Sequence, residues 1–242
     1  MPPDARVRRR TVVTLLLAVL VTAGLLSLGT WQVKRLFWKQ DLIARVEARV
    51  HAPPVPVPPA ADWAGIDAAS SEYRHVSLSG TFLHDKEALA QANTVLGPGF
   101  WVLTPLSAED GTIVFVNRGF VPPDRRDPSS RSAGNPQGPV QITGLLRLSE
   151  PKGAFLRSND PAADRWYSRD VPAMAAARGL PADKVAPFFV DADDTANPGG
   201  YPVGGLTQIA FPNNHLVYAI TWYSLAGMLI AAVVVLYRRR QL

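Results

Sequence analysis

The chain has 242 residues and a net charge of +5, but the surplus is not spread along it. From Lys39 to His215 there are 16 basic and 19 acidic residues, a balance of −3, so a nucleic-acid partner is not expected in spite of the basic total. With no cysteine and only three methionines, the sequence excludes disulfides, a C-x-x-C-H haem attachment and a copper carrier built on soft sulfur ligands.

Residues 1–10, with Arg6, Arg8, Arg9 and Arg10, read as a cytoplasmic N-terminus. Thr11 to Trp31 then runs without a charge, as does Leu216 to Tyr237 near the other end. At about 1.5 Å per residue either run covers the roughly 30 Å apolar core of a bilayer as a helix. The spans are therefore expected over 11–31 and 215–237, the second closed by the basic tail 238–242 with Arg238, Arg239 and Arg240. Arginine clusters stay on the cytoplasmic side, so both termini are expected inside and the intervening region outside. The competing reading of the first run is a cleaved signal peptide. Against it, the run is longer than a typical signal core and ends in Gly29-Thr30-Trp31-Gln32, with no A-x-A-like site.

After the first span, Val33, Leu36, Phe37, Ile43, Val46 and Val50 recur at helical spacing among charged residues, which predicts an amphipathic helical extension over 32–51. The Pro-rich stretch 52–61 predicts an extended, semi-rigid tether. From there to residue 212 the period changes to two. Tyr73–Phe82, Glu87–Asn93, Phe100–Pro105, Thr112–Asn117, Val140–Leu148 and Pro187–Ala192 are strand candidates separated by Pro, Gly, Asp and Ser. One helix is expected over Val171–Arg178, with Asp170 as N-cap and Gly179 as its stop. Ser129 to Gln137 reads as a mobile surface loop. The fold class expected is thus a membrane protein in which two transmembrane α-helices flank a β-rich, antiparallel barrel- or sandwich-like extracytoplasmic domain with one short helix.

The motifs of catalysis are missing: there is no G-x-S-x-G, no P-loop and no G-x-G-x-x-G. An outer-face membrane enzyme is disfavoured on that ground. Asp191, Asp193 and Asp194 read as a solvated turn rather than a metal site, and His51, His75 and His84 as ordinary loop or exposed positions. Asn117-Arg118-Gly119 reads either as a turn closing a strand or as a place where the Arg118 fork meets a propionate or an acidic partner. His215 stands apart because it begins the second span, at the depth where the first span ends in Trp31-Gln32. Neighbouring helices would bring His215, Tyr218 and Trp222 near Trp31, Gln32 and Arg35. Two readings stay open there. One is an aromatic belt with a polar rim; the other is a lipid-level pocket for a flat amphipathic ligand, such as a haem held by the imidazole.

In order along the chain come Leu28-Gly29-Thr30-Trp31-Gln32 with Arg35, Tyr73-Arg74-His75-Val76 with Gly80-Thr81-Phe82, and Leu103-Thr104-Pro105. They are followed by Val116-Asn117-Arg118-Gly119-Phe120-Val121-Pro122, Gly144 through Arg147 to Glu150, and Asn159-Asp160-Pro161 with Trp166 and Asp170. Phe189-Val190-Asp191-Ala192, Pro198-Gly199-Gly200 and His215-Leu216 with Tyr218 and Thr221-Trp222-Tyr223 complete the set. This ordered set resembles the surfeit-locus protein family, assembly factors for cytochrome c oxidase.

The resemblance implies an assembly factor, not an enzyme, acting where haem a is delivered to or inserted into oxidase subunit I. The alternative within the family is a scaffold that stabilises a subunit I intermediate and never touches haem. It implies haem a as a transiently bound cofactor, with subunit I, membrane lipid and a haem a synthase as partners. The family's proposed haem-ligating histidine falls on His215, and its membrane-exit tryptophan and glutamine fall on Trp31 and Gln32. Val217 departs from the glutamine often found after His-Leu. Met1-Pro2-Pro3 leads almost directly into the first span, so the expected location is a bacterial plasma membrane, with the main domain in the periplasm.

Overall fold

The computed structural model describes residues 5–239 apart from 155, 208 and 210. Met1-Pro2-Pro3, Arg240 and the side chains of Arg6 and Arg8 lie outside the described residues. Helix α1 covers Ala5–Val50, α2 Val171–Ala177 and α3 His215–Arg239. Seven strands lie between: β1 Val55–Pro56, β2 His75–Phe82, β3 Ala88–Thr94, β4 Gly97–Ser107, β5 Ile113–Val121, β6 Pro139–Leu148 and β7 Val185–Ala192. The chain divides into two units, residues 1–45 with 210–242, and residues 46–209.

In the first unit, α1 and α3 are each long and apolar enough to cross a membrane. Their threonines would leave hydroxyls unpaired in hydrocarbon, and the helices solve this internally. Thr14, Thr22 and Thr30 donate to the carbonyls of Arg10, Ala18 and Leu26, and Thr221 donates to Val217. The shielded positions of α1 recur at 18, 22, 25, 29, 32, 36 and 39, and those of α3 at 215, 219, 222, 226, 229 and 233. Alternating steps of three and four are the spacing of a coiled-coil seam. Small residues fill much of it: Gly29, Ala219 and Ala226 are buried, which lets two backbones approach where no hydrophobic effect drives helix pairing.

The second unit is built on a closed five-strand ring, β2-β6-β7-β5-β4 and back to β2, with β1 and β3 added as flanking strands. All pairings within the ring are antiparallel except β5 with β7, and the chain reaches that parallel register by crossing through β6 and α2. Ring closure is short, Thr81 opposite Ser107 and Phe82 opposite Leu106. Gly80 permits it, since a Cβ there would stand 2.3 Å from the Ser107 carbonyl oxygen.

Even-numbered residues of β5 and β7 (Val114, Val116, Ala186, Phe188, Val190) join Val76, Leu78, Phe82, Leu106 and Leu146 to fill the barrel. Odd-numbered Ile113, Phe115, Val185 and Phe189 form a second core outside it, under Val171, Met174 and Ala175 of α2 and the indole of Trp166. All nine residues of β5 are therefore buried, which is why its sequence reads as a continuous run and not an alternation. Helix α2 is capped by Asp170, whose carboxylate accepts the Ala173 N–H, and ends at Gly179 in the left-handed region.

Two segments differ from the sequence expectation. The Pro-rich tether is not free: Val55 and Pro56 pair in parallel with Val76 and Ser77, and residues 60–65 form a 3-10 turn. An edge position suits proline, which has no N–H to leave unpaired. The stretch 129–137 is not a loose loop either. Pro128–Gly134 folds into 3-10 turns around Arg131, whose guanidinium is buried in a two-pronged ion pair with Glu87. A charge that binds its partner this deeply pins the segment that carries it.

Candidate functional site

His215 is the first residue of α3, and Gln32 lies on the buried face of α1. The His215 Nδ1–H donates to Gln32 Oε1 at 2.7 Å. In the neutral ring a proton on Nδ1, facing a carbonyl oxygen, leaves the lone pair on Nε2, which is the tautomer a metal-binding histidine needs. Two turns on, Thr30 and the Tyr223 hydroxyl meet at 3.0 Å. The Thr30 proton is committed to Leu26, so Tyr223 is the donor. Its ring lies directly over Gly29, where a Cβ would come within 2.8 Å of Tyr223 Cε1.

The remaining sequence candidates sort themselves around this pair. Trp222, at i+7 from His215, is half-buried on the same helical face. Trp31 and Tyr218 turn most of their surface outward, at 51% and 53% exposure, so neither walls the His215–Gln32 contact. Arg35 is drawn to α1's own aromatics, 4.5 Å from the Trp38 ring centre and 6.0 Å from that of Trp31. Asn213, two residues before His215, has a buried carboxamide oxygen with no donor among the described residues.

These groups fit a haem in a limited sense. The imidazole of His215, through an unused Nε2, would hold the iron, and the half-buried Trp222 would offer an apolar flank. Among the described residues no group of three or more His, Cys, Asp or Glu side chains could hold a metal ion, so a bare metal centre is not formed. An iron would rest on His215 and on its own macrocycle.

Arg118 belongs to the other unit. It lies within β5 and not in a turn, buried to 2% exposure, and the left-handed Gly119 beside it lets the Val203 carbonyl approach to within 2.1 Å of where a Cβ would stand. The Arg118 guanidinium donates to Asn135 Oδ1 at 2.9 Å and to the Gly134 carbonyl, and stacks 4.9 Å over Phe82.

Asp191 is not part of a solvated turn. It is 2% exposed, pairs in register with Asn117 across β5 and β7, and accepts from Asn117 Nδ2 at 2.7 Å. Arg147, Arg169 and Thr207 also donate to it at 3.0 Å. Arg169 holds Glu150 in a second fork, and Arg147 reaches Glu72. Burial alone would raise the Glu150 carboxyl, but the bonds and charge of Arg169 and the charge of Arg147 together bring it below its ordinary value. The same carboxylates raise Arg169 above the ordinary guanidinium value, against its own burial. Sequence reasoning missed this network as a unit. Its signal was a set of polar and charged residues at strand positions among apolar neighbours: Asn117, Arg147 and Asp191.

Residues 19–227 match the model of the SURF1 family. The chain belongs to that family. Curated relatives agree: the Surfeit locus protein 1 of Homo sapiens is 38% identical over 229 residues, 88% of this chain and 73% of that protein. The Rattus norvegicus protein of the same name is 38% identical over 223 residues, covering 86% and 70%. A SURF1-like protein of Monosiga brevicollis is 39% identical over 240 residues, covering 93% and 87%. The SURF1 match covers the barrel and part of both terminal helices. Membership supports a role in cytochrome c oxidase assembly, as an assembly factor rather than a catalytic enzyme.

Proposed function

We propose that this SURF1 family member acts at the haem a step of oxidase assembly, receiving haem a as cargo and presenting it to subunit I. The observation that carries this reading is the 2.7 Å bond from His215 Nδ1 to Gln32 Oε1, which leaves Nε2 as the ring nitrogen open to a metal at the start of a span. His215 would bind the iron, Gln32 would hold the ring and its tautomer, and Trp222 would flank the macrocycle. Arg35, at the same depth on α1, would meet the propionates by leaving its aromatic neighbours. Copper delivery is not proposed, since the chain has almost no soft ligands.

The proposed location is a bacterial plasma membrane with both termini cytoplasmic and the barrel domain in the periplasm, beside subunit I and within reach of a haem a synthase. The arginines at both ends support that orientation. A periplasm-dependent reporter is expected to be active when inserted near Gly138 and silent when fused after Leu242; activity at the C-terminus would overturn the two-span topology.

The haem reading is tested by adding haem a to the purified full-length protein and recording the Soret band. A shifted, saturable band in wild type that is lost in His215→Ala, with unchanged membrane abundance, is expected. If wild type takes up no haem a, a scaffold that stabilises subunit I without touching haem is the function instead.

A further inference from the structure

Arg118 sits at one end of the barrel interior, two residues beyond the core residue Val116 on the same strand face. It lines a cavity of about 210 Å³ with Phe82, Val140, Ile142 and Ala192 as apolar walls and Ala196 and Asn197 at the mouth. At ~30 Å³ per water, that is space for about seven waters, smaller than a drug-sized pocket and of the size of a small organic molecule.

The charge count around this cavity does not close. Two buried arginines, Arg118 and Arg131, share one buried carboxylate, Glu87, and both oxygens of Glu87 are held by Arg131. Arg118 forms no ion pair among the described residues. Two of the five N–H donors of its guanidinium go to neutral oxygens, those of Asn135 and Gly134, and the other three have no protein acceptor among the described residues. The acid among the lining residues, Asp193, accepts the Thr195 N–H of its own loop at 3.0 Å and forms no ion pair with Arg118. A buried cation without a counter-charge is costly unless something supplies one. The consequence is visible in Arg118 itself, whose pKa is pushed down to about 10 by burial, which outweighs the opposing charge of Glu87, with a smaller downward push from Arg131.

We propose that the barrel end is a binding site for a small organic carboxylate, its two oxygens on the Arg118 fork and its apolar body between Phe82, Val140 and Ile142. The stacking on Phe82 and the bonds to residues 134–135 hold the guanidinium plane in place, as bidentate recognition of a planar carboxylate requires. The site is independent of His215 and of the haem reading.

Benzoate is the probe, titrated into the full-length protein in detergent by calorimetry, against benzamide as the neutral isostere, inorganic phosphate as a bare anion and protein-free micelles. Benzoate is expected to saturate one site, with benzamide and phosphate at least tenfold weaker. Arg118→Lys keeps the charge, loses the fork and is expected to weaken benzoate at least tenfold. Ala196→Trp, at an exposed rim position, closes the mouth without touching the core and is expected to abolish binding; it decides the matter if the Arg118 variant does not fold. No benzoate binding, equal binding of benzamide, a preference for phosphate, or unchanged affinity in Ala196→Trp would each overturn the proposal.

Discussion

Gln32 and His215 stand 183 residues apart in the chain and 2.7 Å apart in the helix pair. The glutamine acts on the histidine and need not touch a ligand, so the two residues are expected to differ in kind when replaced. His215→Ala should abolish the haem a Soret shift, whereas Gln32→Ala should leave a site whose affinity is weaker by about 10- to 100-fold, the usual cost of removing a partner that orients a metal-binding histidine. Equal loss in both variants, at equal membrane abundance, would place Gln32 among the direct contacts.

Tyr223 needs Gly29. A side chain at residue 29 would occupy the space of the Tyr223 ring, so Gly29→Val is expected to spread the two helices and lower the thermal stability of the full-length protein in detergent. Because the obstruction is a flexible ring, Tyr223→Ala in the same chain should restore part of the loss.

Asp191 is the keystone of the outer charged network because it accepts from two strands and two loops at once. Asp191→Ala leaves Arg147 and Arg169 short of a counter-charge in a buried setting, and breaking such a pair costs about 3–5 kcal/mol. Denaturant unfolding of the full-length protein followed by near-ultraviolet circular dichroism should show a loss of that size. A loss below about 1 kcal/mol would mean that water replaces the carboxylate.

The same network gives a pH dependence. The Glu150 carboxyl lies below its ordinary value of 4.5 in the folded protein, so the unfolded chain binds its proton first as the solution is acidified. Stability from Glu150 is therefore complete above the ordinary carboxylate range and is lost as pH falls through the lower folded value. Wild type should lose stability below about pH 4.5, and Glu150→Gln should be less stable at pH 7 but flatter across that window.

The Glu87–Arg131 pair holds the 128–134 turns against β3. With both side chains almost fully buried, Arg131→Met removes the partner of a buried carboxylate and is expected to cost about 3–5 kcal/mol. Arg131 also donates to the Arg125 carbonyl, so the same variant should loosen the preceding segment and speed limited proteolysis at Arg125 and Arg126, which wild type should resist.

Much of the architecture was legible in the sequence because it depends on local periodicity. Uncharged runs of helical length, arginines beside them, alternation in Val76–Phe82, and Asp170 and Gly179 around α2 are properties of neighbouring residues, and these are the features that the chain itself determined. His215 and Gln32 were also placed together, since the bilayer gives two helices a common depth. Only the tertiary structure decided what depends on contacts across long separations. It turned Trp31 and Tyr218 outward, because the seam's three-and-four spacing leaves them off the buried face of each helix. It drew Val55-Pro56 into the sheet and Arg131 under the 128–134 turns, because a strand partner and a carboxylate 44 residues away waited there. It buried Asp191 among arginines, although beside Asp193 and Asp194 it reads as a solvent-facing acid. And it left Arg118 without a counter-charge at the end of the barrel, a deficit that no spacing reveals, since it exists only when strands from four parts of the chain close around one cation.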